Sequence, residues 1–263
     1  MAEAPRVAAG RAMTAIALAT HGLAKNFGAL TVTENVEFVL PAGARYALIG
    51  PNGAGKTTFI NLLTGMLTPD AGAIELDGMP ITQLPPHERV KRGLARTYQI
   101  NTLFPDLTPI ESVMLAICER RRISRQWLPA LARRRAAIEE AATLLAELGI
   151  GDVAHRPTRE LAYGHQRVLE IALALATRPH VLLLDEPAAG VPARDSGMLY
   201  EVISSLPKEI AVLFIEHDME LVFRFASRIT VLVSGRVLRE GPPAEIAEDP
   251  EVRAVYLGTS VHA

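Results

Sequence analysis

The chain has 263 residues, of which 49% are hydrophobic, so it has ample apolar material for a core and is not disordered as a whole. Its formal net charge of −2 gives no overall basic field, which disfavours bulk nucleic-acid binding. Cys118 is the only cysteine, so neither an intramolecular disulfide nor a cysteine metal cluster can form. No uncharged run reaches the roughly 18 residues of a membrane-spanning helix, and we expect a chain that is soluble by itself.

The N-terminal part of the chain indicates an extension followed by strands. Residues 1–14 are rich in alanine and lack the apolar core of a secretion signal, so we predict a loosely ordered extension. Short β-like runs with turn signals between them then occupy residues 15–20, 36–40 and 73–77. This pattern predicts a mixed sheet.

A glycine-rich loop lies between a predicted buried strand, Arg45–Ile49, and a predicted amphipathic helix, 57–63, which Gly65 closes. The loop has the Gly-x-x-x-x-Gly-Lys-Thr spacing that surrounds nucleotide phosphates with backbone N–H groups at the positive end of a helix dipole. A flexible glycine-rich turn is the alternative, which the flanking strand and helix disfavour. The candidate binding residues are Asn52, Gly53, Gly55, Lys56, Thr57 and Thr58.

Two of these residues have defined roles in such loops. Lys56 would reach the β and γ phosphates as a point charge, and Thr57 would place its hydroxyl on a magnesium ion that bridges them. The sequence therefore predicts a nucleotide ligand with magnesium as its cofactor.

The second half of the chain alternates helical and apolar segments. Helical periodicity dominates residues 108–177, with predicted helices at 136–148 and 163–177, which indicates an inserted helical subdomain. Three apolar runs then predict buried parallel strands that are covered on both faces, and hence an α/β architecture. They are residues 181–184, 210–215 and 229–233.

Seven arginines lie within residues 120–135 and form the sharpest charge cluster of the chain. We interpret this cluster as a solvated helix or loop face. Contact with a partner or with lipid headgroups is the alternative.

Candidate catalytic residues follow two of the apolar runs. Asp185 can hold magnesium through its coordination shell, and Glu186 can orient an attacking water and act in part as a general base. An apolar run that ends in Asp-Glu is a weak signal alone and becomes strong when it follows a phosphate loop at this distance. His217, just after the run 210–215, is placed to touch the γ-phosphate and the water, with a structural histidine as the alternative.

These motifs, in this order, resemble those of the ATP-binding cassette (ABC) ATPases over residues 15–258. The resemblance also rests on Thr97-Tyr98-Gln99, similar to the Q-loop of the family, and on residues 161–167, similar to its signature motif. Phe27 matches the aromatic residue that stacks on adenine in this family, with a core aromatic as the alternative. Further matches make the chain similar to the ATPase subunits of branched-chain amino-acid importers. They lie at residues 103–108, 186–190, 215–219 and 256–258.

The resemblance implies a single ABC ATPase domain at 15–258, followed by a tail, 259–263. Its fold would be a P-loop NTPase (RecA-like) core with an N-terminal antiparallel β subdomain and an α-helical subdomain inserted at about 100–177. Its activity would be the hydrolysis of ATP with Mg²⁺. The implied catalytic residues are Glu186, His217 and Gln99, and the implied metal ligands are Thr57, Gln99 and Asp185. The implied nucleotide-binding residues are those of the loop together with Phe27, Asp185, Ala162 and Gly164.

The resemblance also implies partners and a location. Such importers pair two ATPases, identical or different, with two membrane permeases and a periplasmic substrate-binding protein, without nucleic acid. The chain would then lie peripherally on the cytoplasmic face of the inner membrane. Two subunits would close around two ATP molecules, and the stretch from Gln99 to about Met114 would transmit this closure to a cytoplasmic helix of a permease.

Three positions depart from the family pattern. Ala162 replaces a serine whose hydroxyl meets the γ-phosphate of the opposite subunit, a loss of at most about 1.5–3 kcal/mol. Because the N–H of Gly164 and the helix dipole remain, we expect weakened rather than abolished function at that site. Tyr163 replaces a small residue, and Pro192, which has no N–H, replaces Asp or Asn. These substitutions suggest that two non-identical ATPases pair.

Three other functions are alternatives. An importer of urea, short amides or aromatic acids would use a similar ATPase, because the substrate pocket lies in other polypeptides. A soluble ABC ATPase acting on nucleic acid usually carries long coiled coils or two cassettes, and this chain has one compact cassette. A nucleotide-sensing regulator without turnover is disfavoured by the presence of both Glu186 and His217.

Overall fold

The computed structural model describes residues 15–97, 103–123, 131–191 and 193–257. The predictions for residues 1–14, Gln99, Pro192 and the tail 259–263 lie outside these residues. The strands are β1 (Ile16–Phe27), β2 (Leu30–Pro41), β3 (Arg45–Ile49), β4 (Ala71–Leu76), β5 (Met79–Pro80), β6 (Leu94–Arg96), β7 (Val181–Asp185), β8 (Ala211–Ile215), β9 (Arg228–Val233) and β10 (Arg236–Gly241). The helices are α1 (Lys56–Thr64), α2 (Pro86–Lys91), α3 (Pro109–Arg120), α4 (Leu131–Glu147), α5 (Tyr163–Ala176), α6 (Ala193–Ser205), α7 (Met219–Phe225), α8 (Pro243–Glu248) and α9 (Pro250–Leu257).

The strands form two sheets. One is antiparallel with the order β2-β1-β4-β5, and the other has the order β10-β9-β3-β8-β7-β6, in which β10 is antiparallel to β9 and the other neighbours are parallel. The three N-terminal runs lie in β1, β2 and β4 and share one sheet, but the prediction that this sheet is mixed is wrong, because all its pairs are antiparallel. The strand β3, which lies between these runs in the chain, pairs in the other sheet instead. Its residues Ala47, Leu48 and Ile49 are all buried. A strand that is apolar on both faces needs cover on both sides, which the parallel sheet provides.

The prediction of buried parallel strands is confirmed for all three apolar runs. Side chains of β7 alternate between two cores, because successive residues of a strand point to opposite faces. Leu182 and Leu184 belong to the core that contains the apolar faces of α3 to α6. Val181 and Leu183 belong to the core between the two sheets, which also contains the apolar face of α1.

The helices α3, α4 and α5 lie between β6 and β7 in the chain and form the inserted helical subdomain. The start of α3 is fixed by a capping box, in which Thr108 N–H donates to Glu111 at 2.8 Å and the Thr108 hydroxyl accepts from the Glu111 N–H. The predicted helix after the phosphate loop is confirmed as α1, which ends at Gly65 with φ 78°. Within the described ranges, no helix has the length and apolarity that crossing a bilayer requires.

The described part of the arginine cluster connects helices. Arg120 of the cluster and Arg178, which lies outside it just after α5, each donate to Glu140 Oε1 at 2.8 Å, and Arg121 of the cluster also pairs with this carboxylate. Arg120 donates a further bond of 2.7 Å to the carbonyl of Ala176. These partly exposed arginines therefore join α3 and α4 to the end of α5, in addition to facing solvent.

Candidate functional site

The phosphate loop lies between the end of β3 and the start of α1, at the C-terminal edge of the parallel strands. Gly55 has φ 101°, and a Cβ there would overlap the carbonyl oxygen of Val32. A Cβ at Gly50 would overlap the carbonyl oxygen of Leu232. Both positions therefore require glycine, because the loop is packed against β2 and β9 while its outer residues Asn52 and Gly53 are exposed.

Lys56 is the buried cation of the loop. Its Nζ donates to the carbonyls of Gly50 at 2.6 Å and Pro51 at 3.0 Å. Burial lowers the pKa of Lys56, and the charges of Glu186 and Asp185 oppose this shift. The ammonium is thus bonded to the carbonyls of its own loop and feels the charges of the two carboxylates, and Thr57 stands exposed at the first turn of α1.

Asp185, at the end of β7, forms a nearly dry ion pair with Arg96. Arg96 Nη2 donates to Asp185 Oδ2 at 2.6 Å, and the two side chains are 8% and 6% exposed. Arg96 Nη1 donates to Asn61 on α1 at 2.7 Å. Arg96 thereby fixes the candidate metal ligand to the helix that follows the phosphate loop. Arg96 is not among the residues predicted from the sequence, although a charge at the end of a short apolar strand next to Thr97 is a signal for it.

Glu186 and His217 lie together. Glu186 Oε1 is 2.9 Å from His217 Nε2, and the carboxylate is mostly buried while the imidazole is about half exposed. Glu186 has φ 46°, an unusual conformation for a residue with a side chain, and its N–H donates to the carbonyl of Ile215 at 2.9 Å. The two candidate catalytic side chains are therefore paired by the neighbouring ends of β7 and β8.

A buried carboxylate that the sequence analysis did not identify supports this pair. Glu216 is 4% exposed and accepts backbone N–H bonds from Ala188 at 3.0 Å, His217 at 3.1 Å and Asp218 at 3.4 Å. Burial raises the pKa of Glu216, and these three bonds oppose the shift. Glu216 thus joins the turn after Glu186 to the segment that presents His217.

The signature segment begins α5 and contacts the same turn. The Tyr163 hydroxyl donates to the carbonyl of Ala189 at 3.1 Å, and Arg167 Nη2 donates to it at 3.3 Å. A Cβ at Gly190 would lie 3.2 Å from the Tyr163 hydroxyl oxygen, so the tyrosine packs directly over this glycine. The unusual tyrosine therefore ties the signature segment to the turn that starts at Glu186.

Phe27 is an exposed aromatic rather than a core residue. Its ring is at the tip of the β1–β2 hairpin, paired with Leu30, and Val32 of the same hairpin contacts Gly55. Phe27 is 48% exposed, and Lys25 Nζ lies 5.8 Å from the centre of its ring. The hairpin that carries this exposed ring thus packs, through Val32, against the phosphate loop.

The phosphate loop and the signature segment occupy different parts of one chain. The helix α1 packs against one face of the parallel sheet, and α5 packs against the other. Ala162 and Gly164, at the start of α5, are therefore separated from Lys56 by the sheet. One chain holds the loop, the carboxylates and His217 together, and presents its signature segment elsewhere.

Comparisons with known proteins agree with this geometry. Residues 33–189 match the family model of ABC transporters, and residues 236–262 match the model of branched-chain amino acid ATP-binding cassette transporters. The chain is 40% identical over 250 residues to the high-affinity branched-chain amino acid transport ATP-binding protein BraF of Pseudomonas aeruginosa, covering 92% of this chain and 97% of that protein. It is 39% identical over 250 residues to LivG of Escherichia coli, a protein of the same description, with the same coverage.

A solved structure has the same fold. The ADP conformation of MJ1267, an ATP-binding cassette of an ABC transporter, superposes with a TM-score of 0.80 at 28% identity, covering 92% of this chain and 99% of that one. The expected P-loop NTPase core with its two subdomains is confirmed. This chain belongs to the ABC transporter family and is an ATPase of the ATP-binding cassette type.

Proposed function

We propose that this chain drives the import of branched-chain amino acids by hydrolysing MgATP at the cytoplasmic face of the cell membrane. The main support for this choice of substrate is the match of residues 236–262 to the model of branched-chain amino acid ATP-binding cassette transporters. It is supported by the 40% and 39% identity to BraF and LivG over 92% of this chain, since the descriptions of both proteins state this transport. Permeases in the membrane and a periplasmic binding protein would complete the importer.

The residues at the loop suit Mg²⁺ held jointly with a nucleotide. The described residues contain no group of three or more His, Cys, Asp or Glu side chains that could hold a metal ion alone. Mg²⁺ usually keeps one or two protein ligands and takes its remaining ligands from phosphates and water. Thr57 and Asp185 would be these ligands, and the bound ion would neutralise phosphate charge.

The other residues position the reacting groups. Lys56 would meet the phosphates with its charge, and phosphates beside it would raise its pKa again. Glu186 would orient the attacking water, while His217, 2.9 Å away, fixes the orientation of the carboxylate. Gln99 is proposed as a further contact of magnesium and water. Phe27 would stack on the adenine.

The separation of loop and signature favours a dimer. Because α1 and α5 pack on opposite faces of the sheet, Ala162 and Gly164 would meet the nucleotide of a second ATPase subunit. The N-terminus of α5 has no side-chain cap, which leaves its first N–H groups for a phosphate. The second subunit is a copy of this chain or a related ATPase.

An apolar groove is the proposed contact with a permease. It encloses about 380 Å³ between β6, α2, α3 and α5. Its rim carries Phe104, Leu115 and Val90, which are 66%, 49% and 37% exposed. Exposed apolar side chains around a cavity are typical of an interaction site. Thr97 and Leu103, the described residues on either side of the segment that contains Gln99, both line this groove.

The test is transport by a reconstituted complex. Permeases that co-purify with the chain, together with their binding protein, are placed in proteoliposomes with MgATP on the side of the ATPase. We expect saturable uptake of leucine that isoleucine and valine inhibit. Phe104→Ser, at a largely exposed position, is expected to reduce uptake at least about 10-fold and leave the basal ATPase of the isolated chain unchanged. Uptake of urea, amides or aromatic acids instead would contradict the proposed substrate.

The contact between Tyr163 and Ala189 gives a further expected result. Tyr163→Phe keeps the ring over Gly190 and removes one hydrogen bond to the turn after Glu186. Because the phosphate loop is untouched, we expect kcat for ATP to fall about 2- to 5-fold with an unchanged KM. Steady-state phosphate release measures both constants, with Tyr46→Phe as the matched control. An increased KM at constant kcat would show that this hydroxyl acts on nucleotide binding instead.

A further inference from the structure

The floor of the permease groove contains two buried polar atoms that lack partners. Glu170 on α5 and Ser112 on α3 are 8% and 6% exposed, and both line the groove. Across the described part of the chain, Glu170 Oε1 and Ser112 Oγ have no hydrogen-bond partner. Buried polar groups are nearly always bonded, so each such atom in this mainly apolar groove needs an explanation.

The charge of Glu170 is already balanced. Its Oε2 accepts a bond of 2.8 Å from Arg167 Nη1, and both side chains are nearly dry. Burial raises the pKa of Glu170, and the bond from Arg167 opposes this shift. Arg96, which also lines the groove, is balanced by Asp185 in the same way. The floor therefore presents an acceptor without presenting a net charge.

This balance determines which chemistry fits the floor. A cation inserted here would be left unpaired after losing its water, which is costly. An anion would be repelled, because it would face the lone pairs of Glu170 Oε1. A neutral donor would satisfy Oε1 without adding charge, and the hydroxyl of Ser112, which lines the same groove, can donate a hydrogen bond or accept one.

We propose that the permease segment in this groove inserts a neutral hydrogen-bond donor between Glu170 and Ser112. The donor is a Ser or Thr hydroxyl, an Asn or Gln amide, or an N–H at a helix start, and apolar side chains on either side of it face Phe104 and Leu115. This inference rests on the proposed docking of a permease in the groove.

The same acceptor is linked to the catalytic turn. Arg167, which bonds Glu170, also donates to the carbonyl of Ala189, three residues after Glu186. A donor on Glu170 Oε1 thus bonds a carboxylate whose partner, Arg167, already contacts this turn. Docking in the groove and the position of Glu186 are connected through one arginine.

Two variants test the donor. Glu170→Gln can keep the bond from Arg167 through its amide oxygen, which turns the NH₂ group towards the groove, where it opposes an incoming donor. We expect its affinity for the detergent-solubilised permease complex to fall about 10-fold. Ser112→Ala removes a partnerless buried hydroxyl, so the isolated chain should keep or raise its Tm while affinity falls about 3-fold. Glu119→Gln, an exposed carboxyl on α3, is the control.

The outcomes separate this inference from the proposed function. If Phe104→Ser weakens binding while Glu170→Gln and Ser112→Ala bind like the unchanged chain, the groove is a docking site and the donor is disproved. If Phe104→Ser also binds normally, the docking proposal itself fails. Loss of affinity in both floor variants, with basal ATPase retained, supports the donor.

Crosslinking identifies the donor directly. Ser112→Cys is made in a Cys118→Ser background, since Cys118 is the only native cysteine, and is labelled with a photoreactive maleimide. We expect the crosslinked permease peptide to contain a neutral donor between apolar residues. A Lys, Arg, Asp or Glu at this point, or capture of a second copy of this chain, would overturn the proposal.

Discussion

Replacing Glu186 with Gln is expected to lower kcat for ATP by about 10²- to 10⁴-fold while ATP remains tightly bound. The amide keeps the size of the side chain and an oxygen facing His217 Nε2, which lies 2.9 Å from the native carboxylate. It loses the negative charge that orients and activates water. The nucleotide-binding groups, Lys56 and Thr57, are unchanged.

Lys56→Ala is expected to abolish turnover in a different way. The buried ammonium donates to Gly50 and Pro51 and would be the main protein charge on the phosphates. A hydrogen bond to a charged group is worth about 1.5–3 kcal/mol, so ATP affinity should fall at least about 10-fold. The two variants therefore separate catalysis from binding.

Single-turnover phosphate release and equilibrium binding of ATP measure these effects. Lys208→Ala and Glu201→Gln, both at exposed positions outside the site, serve as matched controls. Hydrolysis at the normal rate by Glu186→Gln would show that Glu186 does not orient or activate the attacking water. Mass measurement of Glu186→Gln with ATP also reports on assembly, since a stable homodimer would argue against an obligate pair of different ATPases.

Replacing Arg96 with Met should cause the largest loss of stability that the site predicts. Removing one partner of a buried ion pair leaves the other charge uncompensated, at a cost of about 3–5 kcal/mol. Asp185 is 6% exposed in its side chain and has little water to replace the guanidinium. Asn61 on α1 would lose its bond as well.

Thermal unfolding and ATPase assays measure this effect. For a chain of this size the loss corresponds to a Tm lower by about 10 °C. The KM for Mg²⁺ should also rise, because Asp185 is no longer held. Arg239→Met, which removes the pairs of the half-exposed Arg239 with Asp249 and Glu251, is the control and should cost less than about 1 kcal/mol. Equal Tm shifts in the two variants would show that burial of the Arg96–Asp185 pair does not increase the stability lost when the pair is broken.

Tyr163 and Pro192 are two of the positions at which the sequence departs from the family pattern. Tyr163, unusual within the signature, covers Gly190 and bonds Ala189 in the same chain. These residues immediately precede Val191 and Pro192. A proline without an N–H donor thus follows a turn that Tyr163, Arg167 and Glu216 already hold by its backbone. Tyr163 therefore holds the backbone of the turn that leads to Val191.

Some features of this protein follow from the sequence because they depend on near neighbours in the chain. The spacing from Gly50 to Thr57 predicts a phosphate loop, and the apolar run before Asp185 predicts a buried strand that ends at the site. The helices around residues 57–63 and 163–177 follow from local periodicity and from Gly65 and Pro179. Each of these signals lies within about one turn or one strand, where backbone geometry links the residues directly.

Tertiary structure decided the rest, because it brings distant residues together. Arg96 and Asp185 are 89 positions apart, and their pairing depends on β6 and β7 being neighbours. Tyr163 meets Ala189 only because α5 packs on the parallel sheet, and Ser112 and Glu170 line one groove only because α3 packs on α5. No local pattern encodes which strands pair or which helix faces meet. These choices arise from the burial of apolar surface across the whole chain, and the polar contacts of the site depend on them.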